Sequence, residues 1–318
     1  MDRNLALDAV RVTEAAALAA ARFVGRGDEM AADLEAARAI ERAFRAVPVQ
    51  GTIVVGEGLP EDGMPLFPGE RLGGAGPELQ VAVDAIDGAI ACATGAANAL
   101  SIIAISDDPE HGFLRCPNTY MDKIAVGPEG RDVIDLDRSP TDNLKALAEA
   151  RRVYVEDLTV AILDRPRHEK LIAEVRKAGA RIRLIPDGEV SAALATTRPE
   201  SGIDLLMGVG GASQAVLAAA GLLCAGGMLH GRFQPSNAEE ANRLAAEGVH
   251  EVSKKYLPTD LIHGSVMFAA TGVTTGDFLQ GVRFFRGGAT TNSVVMRSKT
   301  RTLRRIEAVH RFDFKPEY

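Results

Sequence analysis

The chain has 318 residues, of which 46% are hydrophobic and 25% charged, proportions ordinary for a soluble globular protein with room for about two units of 100–200 residues. Its net charge of −7 offers no nucleic-acid footprint, no run of about 18 apolar residues suits a membrane span, and Met1-Asp2-Arg3 begins no signal-peptide pattern. Cys92, Cys116 and Cys224 are far apart and form no CxxC pair, which argues against a disulfide framework or a zinc knuckle and for a reduced cytoplasm.

An Ala-rich, helix-favouring stretch runs from about Leu5 to Val24, and Gly25 and Gly27 supply its stop. A second helix is expected over about Asp28 to Val47, with Ala37, Ile40, Phe44 and Val47 as its apolar stripe. Inside it lies Asp33, whose plainer reading is a solvated helix face. Gly51-Thr52-Ile53-Val54-Val55 is an apolar, β-branched run that reads as a strand. It ends in Gly56-Glu57-Gly58, where glycines on both sides let the backbone carry one carboxylate close to a ligand.

Gln80-Val81-Ala82-Val83 reads as another buried strand, followed by Asp84 and Asp87, two carboxylates three residues apart, and then Gly88. Read alone, this is either an ordinary strand-to-turn exit or a grip for a hard divalent cation, which prefers carboxylate oxygens. Glu57 and the Asp84/Asp87 pair both stand at the C-terminal ends of predicted strands, where open α/β sheets place ligands. Two such ends within about thirty residues favour the metal site.

Ala99 to Ile105 and Tyr120 to Val126 are further strands. After about residue 155 strands alternate with helices: a strand over Leu158 to Leu163, a helix through Leu171 and Val175 to Gly179, a strand over Arg181 to Ile185, and a helix from near Asp187. A strand from Ile203 to Val209 leads to Gly210-Gly211, which opens a helix through Val216 and Leu222. The tail from Val266 to His310 is again strand-rich. A layered α/β protein with a boundary near 130–155 is expected.

Several loops in this half carry ligand chemistry. Arg165 and Arg167, at a strand exit, suit a phosphate or form a plain positive loop. Asp187 reads as a helix N-cap or as an acceptor for sugar hydroxyls. Gly210-Gly211 before a helix can present N–H groups to an anion. Lys299, Arg301, Arg304 and Arg305 read mainly as a solvated strand face.

Segments throughout the chain resemble the class II, GlpX-type fructose-1,6-bisphosphatases of the inositol-monophosphatase-like phosphatases. They include Arg11-Val12-Thr13-Glu14-Ala15-Ala16-Ala17-Leu18-Ala19, Gly25-Arg26-Gly27-Asp28, Gly51 to Gly58 and Tyr120-Met121-Asp122-Lys123. Pro166-Arg167-His168, Ile185-Pro186-Asp187-Gly188, Ala270-Thr271-Gly272-Val273-Thr274, Arg297-Ser298-Lys299 and Arg301 to Ile306 follow in order. The resemblance implies an α-β-α-β-α sandwich, with a metal-binding α+β half over 1–150 and an α/β sugar-phosphate half over 151–318. It implies Mg²⁺ or Mn²⁺ and water attack on the 1-phosphate of fructose 1,6-bisphosphate, with glycerol metabolism and gluconeogenesis as the setting. It also implies a small-molecule sugar phosphate as the partner, no nucleic acid, no membrane, and a homo-oligomer, dimer or tetramer. By position Asp33, Glu57, Asp84, Asp87 and Gln214 fall on metal-ligand places, and Asp84, Asp87 and Ala89 on the reacting centre. Asp87, Gly88, Ala89, Tyr120, Arg165, Pro166, Arg167, Asp187, Gly188, Glu189 and Gly211 fall where the family holds substrate.

The chain departs from the family pattern at the chemistry. Asp-Pro-Ile-Glu-Gly-Thr appears here as Asp84-Ala85-Ile86-Asp87-Gly88-Ala89, so Ala89 replaces a threonine expected to position and help deprotonate water. Gly-Gly-Ala-Pro-Glu-Gly appears as Gly210-Gly211-Ala212-Ser213-Gln214-Ala215, placing an uncharged amide where a metal-binding glutamate is expected. The loop Leu59-Pro60-Glu61-Asp62-Gly63 is less acidic than the family's. Two expectations follow: a metal-dependent sugar phosphatase with an altered centre, or a weakly active or non-catalytic sugar-phosphate binder. Sedoheptulose bisphosphate and inositol phosphates stand as other substrates.

Overall fold

In the computed structural model, which describes residues 5–314, the Ala-rich start folds as α1 (Leu5–Ala20) and a 3-10 turn (Ala21–Phe23). Gly25 and Gly27 follow in the left-handed region (φ 71° and 74°), the expected stop. Asp28 caps α2 (Glu29–Phe44) by accepting the Ala31 N–H at 3.0 Å. The stripe Ala37, Ile40, Phe44 and Val47 is buried, as its spacing predicts. The chain then forms β1 (Gln50–Val55), β2 (Arg71–Gly73), β3 (Glu78–Asp87), the short α3 (Ala89–Thr94) and β4 (Leu100–Ser106).

From there it builds a second set of elements: β5 (Tyr120–Val126), α4 (Pro140–Arg151), β6 (Thr159–Leu163), α5 (Glu169–Ala178), β7 (Arg181–Ile185) and α6 (Glu189–Ala195). These continue with β8 (Leu205–Gly211), α7 (Ala212–Ala225), β9 (Met228–Phe233), α8 (Ala238–Ala246) and α9 (Pro258–Leu261). The strand-rich tail is β10 (Val266–Gly272), β11 (Arg283–Phe285), β12 (Gly288–Arg297) and β13 (Thr302–Arg311).

Two mixed sheets result, confirming the α/β class. The first has the order β11-β12-β10-β4-β3-β1-β2, with β13 also paired to β12, and only β1 and β3 run parallel. The second has the order β7-β6-β8-β5-β9, where β6 runs parallel to β7 and β8 while β5 is antiparallel to β8 and β9. The parallel βαβ reading for the strands after residue 155 holds for β6, β7 and β8, while β5 and β9 add an antiparallel side to the same sheet.

Sheet membership divides the chain differently from the boundary near 150. One unit comprises Met1–Phe113 with His263–Tyr318, and the other Leu114–Ile262. The reason is pairing: β10 bonds along β4, returning the tail to the first sheet, whereas β5 bonds to β8 and β9 and joins the second. Composition does not report such non-local pairing.

In the first unit α1 is tied to the sheet by two buried polar threads. Thr13 Oγ1 lies 2.8 Å from Thr271 Oγ1, which lies 2.8 Å from Ser293 Oγ. Thr291 donates to Glu14 Oε1 at 2.9 Å, so its hydroxyl must accept from His310 Nε2 at 2.8 Å. The apolar core between helices and sheet includes Ile40, Phe44, Ile53, Val81, Ile103 and Val295. Phe44 is fully buried, and a Cβ on Gly51 would come within 3.3 Å of its ring. The second unit has its own cluster around Leu144, Leu147, Val160, Ile162 and Leu205.

Truncating Phe44 to alanine removes a ring from a closed site. It should cost about 3–5 kcal/mol, read as a shifted urea midpoint in the transition that reports the first unit.

Candidate active site

In the first unit β1 and β3 run side by side, and each slips register near its C-terminal end: Ile53 pairs Val81 but Val55 pairs Ala82. Against β4, Asp84 opposes Ile102 while Asp87 opposes Leu100, so one extra residue is inserted on β3. Bulges of this kind re-aim side chains, and they concentrate near functional sites. Asp84 and Asp87 belong to the last four residues of β3 rather than to a turn beyond it, and both are buried. Gly88 follows at φ 100°, a conformation that glycine tolerates, and Ala89 opens α3 with its methyl buried.

Glu57 leaves the end of β1 between two constrained glycines. A Cβ on Gly56 would run into the Leu66 carbonyl, and the Glu57 N–H donates to that same carbonyl at 2.8 Å. Gly58 is left-handed, at φ 52°. The half-buried Glu57 carboxylate accepts the Ala85 N–H at 2.8 Å, a direct tie to the residue after Asp84. Desolvation, then the negative charge of Asp33, raise its pKa to about 7 despite that stabilising N–H. Asp33 is half-buried on α2 and acts on a second neighbour: desolvation, then the same charge, hold the Cys92 thiol at about 11. Asp33 is thus more than a residue on a solvated helix face.

Whether these residues suit a hard cation turns on chemistry and closure. A desolvated Glu57 carboxylate facing the charge of Asp33 is an oxygen-donor pair short of positive charge, which fits a divalent cation. Among the described residues no three His, Cys, Asp or Glu side chains gather into a group that could hold a metal.

The second unit gathers the other candidate residues on the ends of β5, β6, β7 and β8. Tyr120 pairs with Gly211 across β5 and β8. Arg167 donates through Nε and Nη2 to the Val209 carbonyl at 3.0 and 2.8 Å, with its guanidinium 4.9 Å from the Tyr120 ring centroid. Arg167, Tyr120 and the approach to Gly211 therefore form one exposed corner. Arg165 is half-buried and donates to the Asp164 carbonyl at 2.9 Å. Asp187 does not cap α6. That place is taken by Gly188 at φ 76°, with no side-chain cap. Gln214 lies in the first turn of α7, its amide oxygen where a Cβ on Gly211 would have to go.

Two residues that sequence reasoning did not assign hold this corner in place. Lys123 is buried, donating to Glu189 Oε1 at 2.6 Å and to the Gly211 carbonyl at 2.7 Å. It joins β5, the start of α6 and the β8–α7 turn. Gly210 must lack a side chain because a Cβ there would strike the Glu189 carboxylate. His168 is buried with Nδ1 2.7 Å from the Leu163 carbonyl, while its Nε2 accepts the Val209 N–H at 2.8 Å. A carbonyl only accepts, so the proton is on Nδ1 and the ring is neutral. It pins the Arg165-Pro166-Arg167 segment to β8, against Gly208 at φ 128°. The signal for Lys123 was available: it alternates with buried Met121 and Ala125 on one face of β5.

Two outcomes follow for stability. Lys123→Met strands a buried carboxylate and should cost about 3–5 kcal/mol, whereas adding Glu189→Leu should recover most of that in thermal unfolding. Glu57 supplies a pH dependence in chelator-treated protein. Folding raises its pKa from 4.5 to about 7, so the folded state takes up this proton first as pH falls. The cost of the ionised form is absent below about 4.5 and complete above about 7. Wild-type stability minus that of Glu57→Gln should fall by up to about 3 kcal/mol between pH 5 and pH 8.

The sequence profile of a family described as bacterial fructose-1,6-bisphosphatase, glpX-encoded, matches residues 3–310. A Synechococcus protein from strain JA-3-3Ab, named D-fructose 1,6-bisphosphatase class 2/sedoheptulose 1,7-bisphosphatase, is 37% identical over 339 aligned residues, covering 98% of this chain and 97% of its own. A Synechococcus elongatus protein of the same name is 37% identical, covering 98% of each chain.

Proposed function

The chain belongs to the family of glpX-encoded bacterial fructose-1,6-bisphosphatases, and from that membership we infer that it hydrolyses the 1-phosphate of fructose 1,6-bisphosphate, giving fructose 6-phosphate and inorganic phosphate. The observation that carries the reading in this chain is Glu57, held beside Asp33 and against the Ala85 N–H with its proton affinity raised. The family is metal-dependent. Asp33, Glu57, Asp84 and Asp87 are the residues that would hold the cation, Mg²⁺ or Mn²⁺, with Gln214 at a further family ligand place. When bound, the cation supplies Lewis-acid polarisation of the phosphoryl group and of water.

The remaining roles belong to side chains. Arg165 and Arg167 bind the phosphate that is not cleaved, through guanidinium donors that suit phosphate oxygens. Tyr120, Asp187 and Glu189 orient the sugar, with Lys123 and His168 fixing the backbone on which they stand. The deprotonating hydroxyl expected after Gly88 is missing, because Ala89 offers only a methyl group. Gln214 brings a coordinating oxygen without formal charge. Turnover is therefore low for the family, and the cation requirement is high. The double name of the Synechococcus relatives supports sedoheptulose 1,7-bisphosphate as a second substrate. The protein assembles as a homo-oligomer.

Phosphate release from both sugar bisphosphates, across Mn²⁺ and Mg²⁺ titrations, tests the inference. Glu57→Gln should lower kcat/KM by roughly 10–100-fold or more. Ala89→Thr should raise kcat by up to about 10²-fold, and Gln214→Glu should mainly lower the cation concentration needed. No release from either substrate, even in the Ala89→Thr/Gln214→Glu protein, would mean that the chain binds sugar phosphates without hydrolysing them.

A further inference from the structure

Strand β13 is the outermost member of the first sheet on its side and pairs, among the described residues, only with β12. The pairing is continuous over all ten residues, from Thr302 opposite Arg297 to Arg311 opposite Gly288, with no slip or bulge. The strand contains no proline and no lysine, and its charged residues are Arg304, Arg305, Glu307 and Arg311. A long, regular edge of this kind presents a row of unpaired N–H and C=O groups, which sheets usually blunt with prolines, bulges or charges. Its side chains alternate. Ile306 packs against the core and His310 is buried beside Thr291, so Leu303, Arg305, Glu307 and Val309 share the outward face. Leu303 and Val309 are 39% and 60% exposed, and Arg305 and Glu307 make no ion pair among the described residues.

The order of those residues is self-complementary. In an antiparallel pair with a two-fold axis at Ile306, Arg305 of one copy faces Glu307 of the other, and the same contact is repeated across the axis. Leu303 faces Val309 at both ends, and Arg304 faces Ala308. Opposite charges and apolar pairs directly across an antiparallel seam are the favourable arrangements, and like charges the unfavourable ones. Charges that served to repel another strand would carry one sign, as lysines on guarded edges do. Here a single register turns each charge into a partner for the other. Residues of equal parity meet in this register, so the alternation of hydrogen-bonded and non-hydrogen-bonded pairs is also satisfied.

We propose that β13 is a self-association seam: two copies of this chain join edge to edge over Leu303–Val309, making their eight-stranded sheets one continuous sheet about an isologous two-fold axis. The partner is a second copy because the pattern of charge and apolar residues matches its own inversion. The seam is independent of the reaction assigned above.

The test is sedimentation velocity of the full chain across a dilution series, with hydrogen exchange on the same samples. Wild type should associate reversibly, with the amides of residues 303–309 protected in the associated form. Glu307→Arg sets arginine against arginine twice and should weaken association at least about tenfold. Arg305→Glu with Glu307→Arg exchanges the two charges, restores both contacts, and should return the constant to within about threefold of wild type. Both substitutions lie on the outward face, and melting temperatures near that of wild type verify folding. A wild type that stays monomeric, an association unmoved by Glu307→Arg, or an exchanged protein as weak as the single variant would each overturn the seam.

Discussion

Everything at the acidic centre depends on one strained electrostatic arrangement: the Glu57 carboxylate is desolvated, faces the charge of Asp33, and is kept in place by the Ala85 N–H. In the absence of positive charge this arrangement costs stability above neutral pH. It exists because β1 and β3 run parallel, so their C-terminal ends open at the same edge. The register slip at the end of β1 comes just before Glu57, whose carboxylate reaches the Ala85 N–H of β3. Gly56 and Gly58 allow the chain to turn Glu57 back over the Leu66 carbonyl at the one place where a side chain would collide.

The second unit fixes an arginine-bearing corner on buried supports. Its donors are exposed, but their supports are buried. Lys123 neutralises Glu189 and takes up the Gly211 carbonyl, and neutral His168 spans from the Leu163 carbonyl to the Val209 N–H. Arg167 is thereby directed over Tyr120 and across to β8.

Much of this was legible in the sequence because it was local. The stripe of α2, the Asp28 cap, the strand Tyr120–Val126 and the glycine-flanked Glu57 follow from periodicity and from the backbone needs of single residues. The resemblance supplied what periodicity does not, namely that Asp33 belongs with Glu57. What the sequence hid was non-local. The return of β10 to β4 places the tail in the first unit, and the antiparallel pairing of β5 with β8 and β9 places β5 in the second. α4 was overlooked although Ser139-Pro140 is a plain start signal, with the serine accepting the Asp142 N–H. Asp187 looked like a cap because aspartate favours that position, but the left-handed Gly188 took it.

The most direct test of the account is calorimetric titration of Mn²⁺ into chelator-treated protein at pH 6, repeated in buffers of different ionisation enthalpy. Glu57 is largely protonated at that pH, with its pKa near 7, and a cation must displace that proton. The account predicts release approaching one proton per bound cation, lost in Glu57→Gln together with much of the affinity. Binding without proton release, or release unchanged in Glu57→Gln, would contradict it.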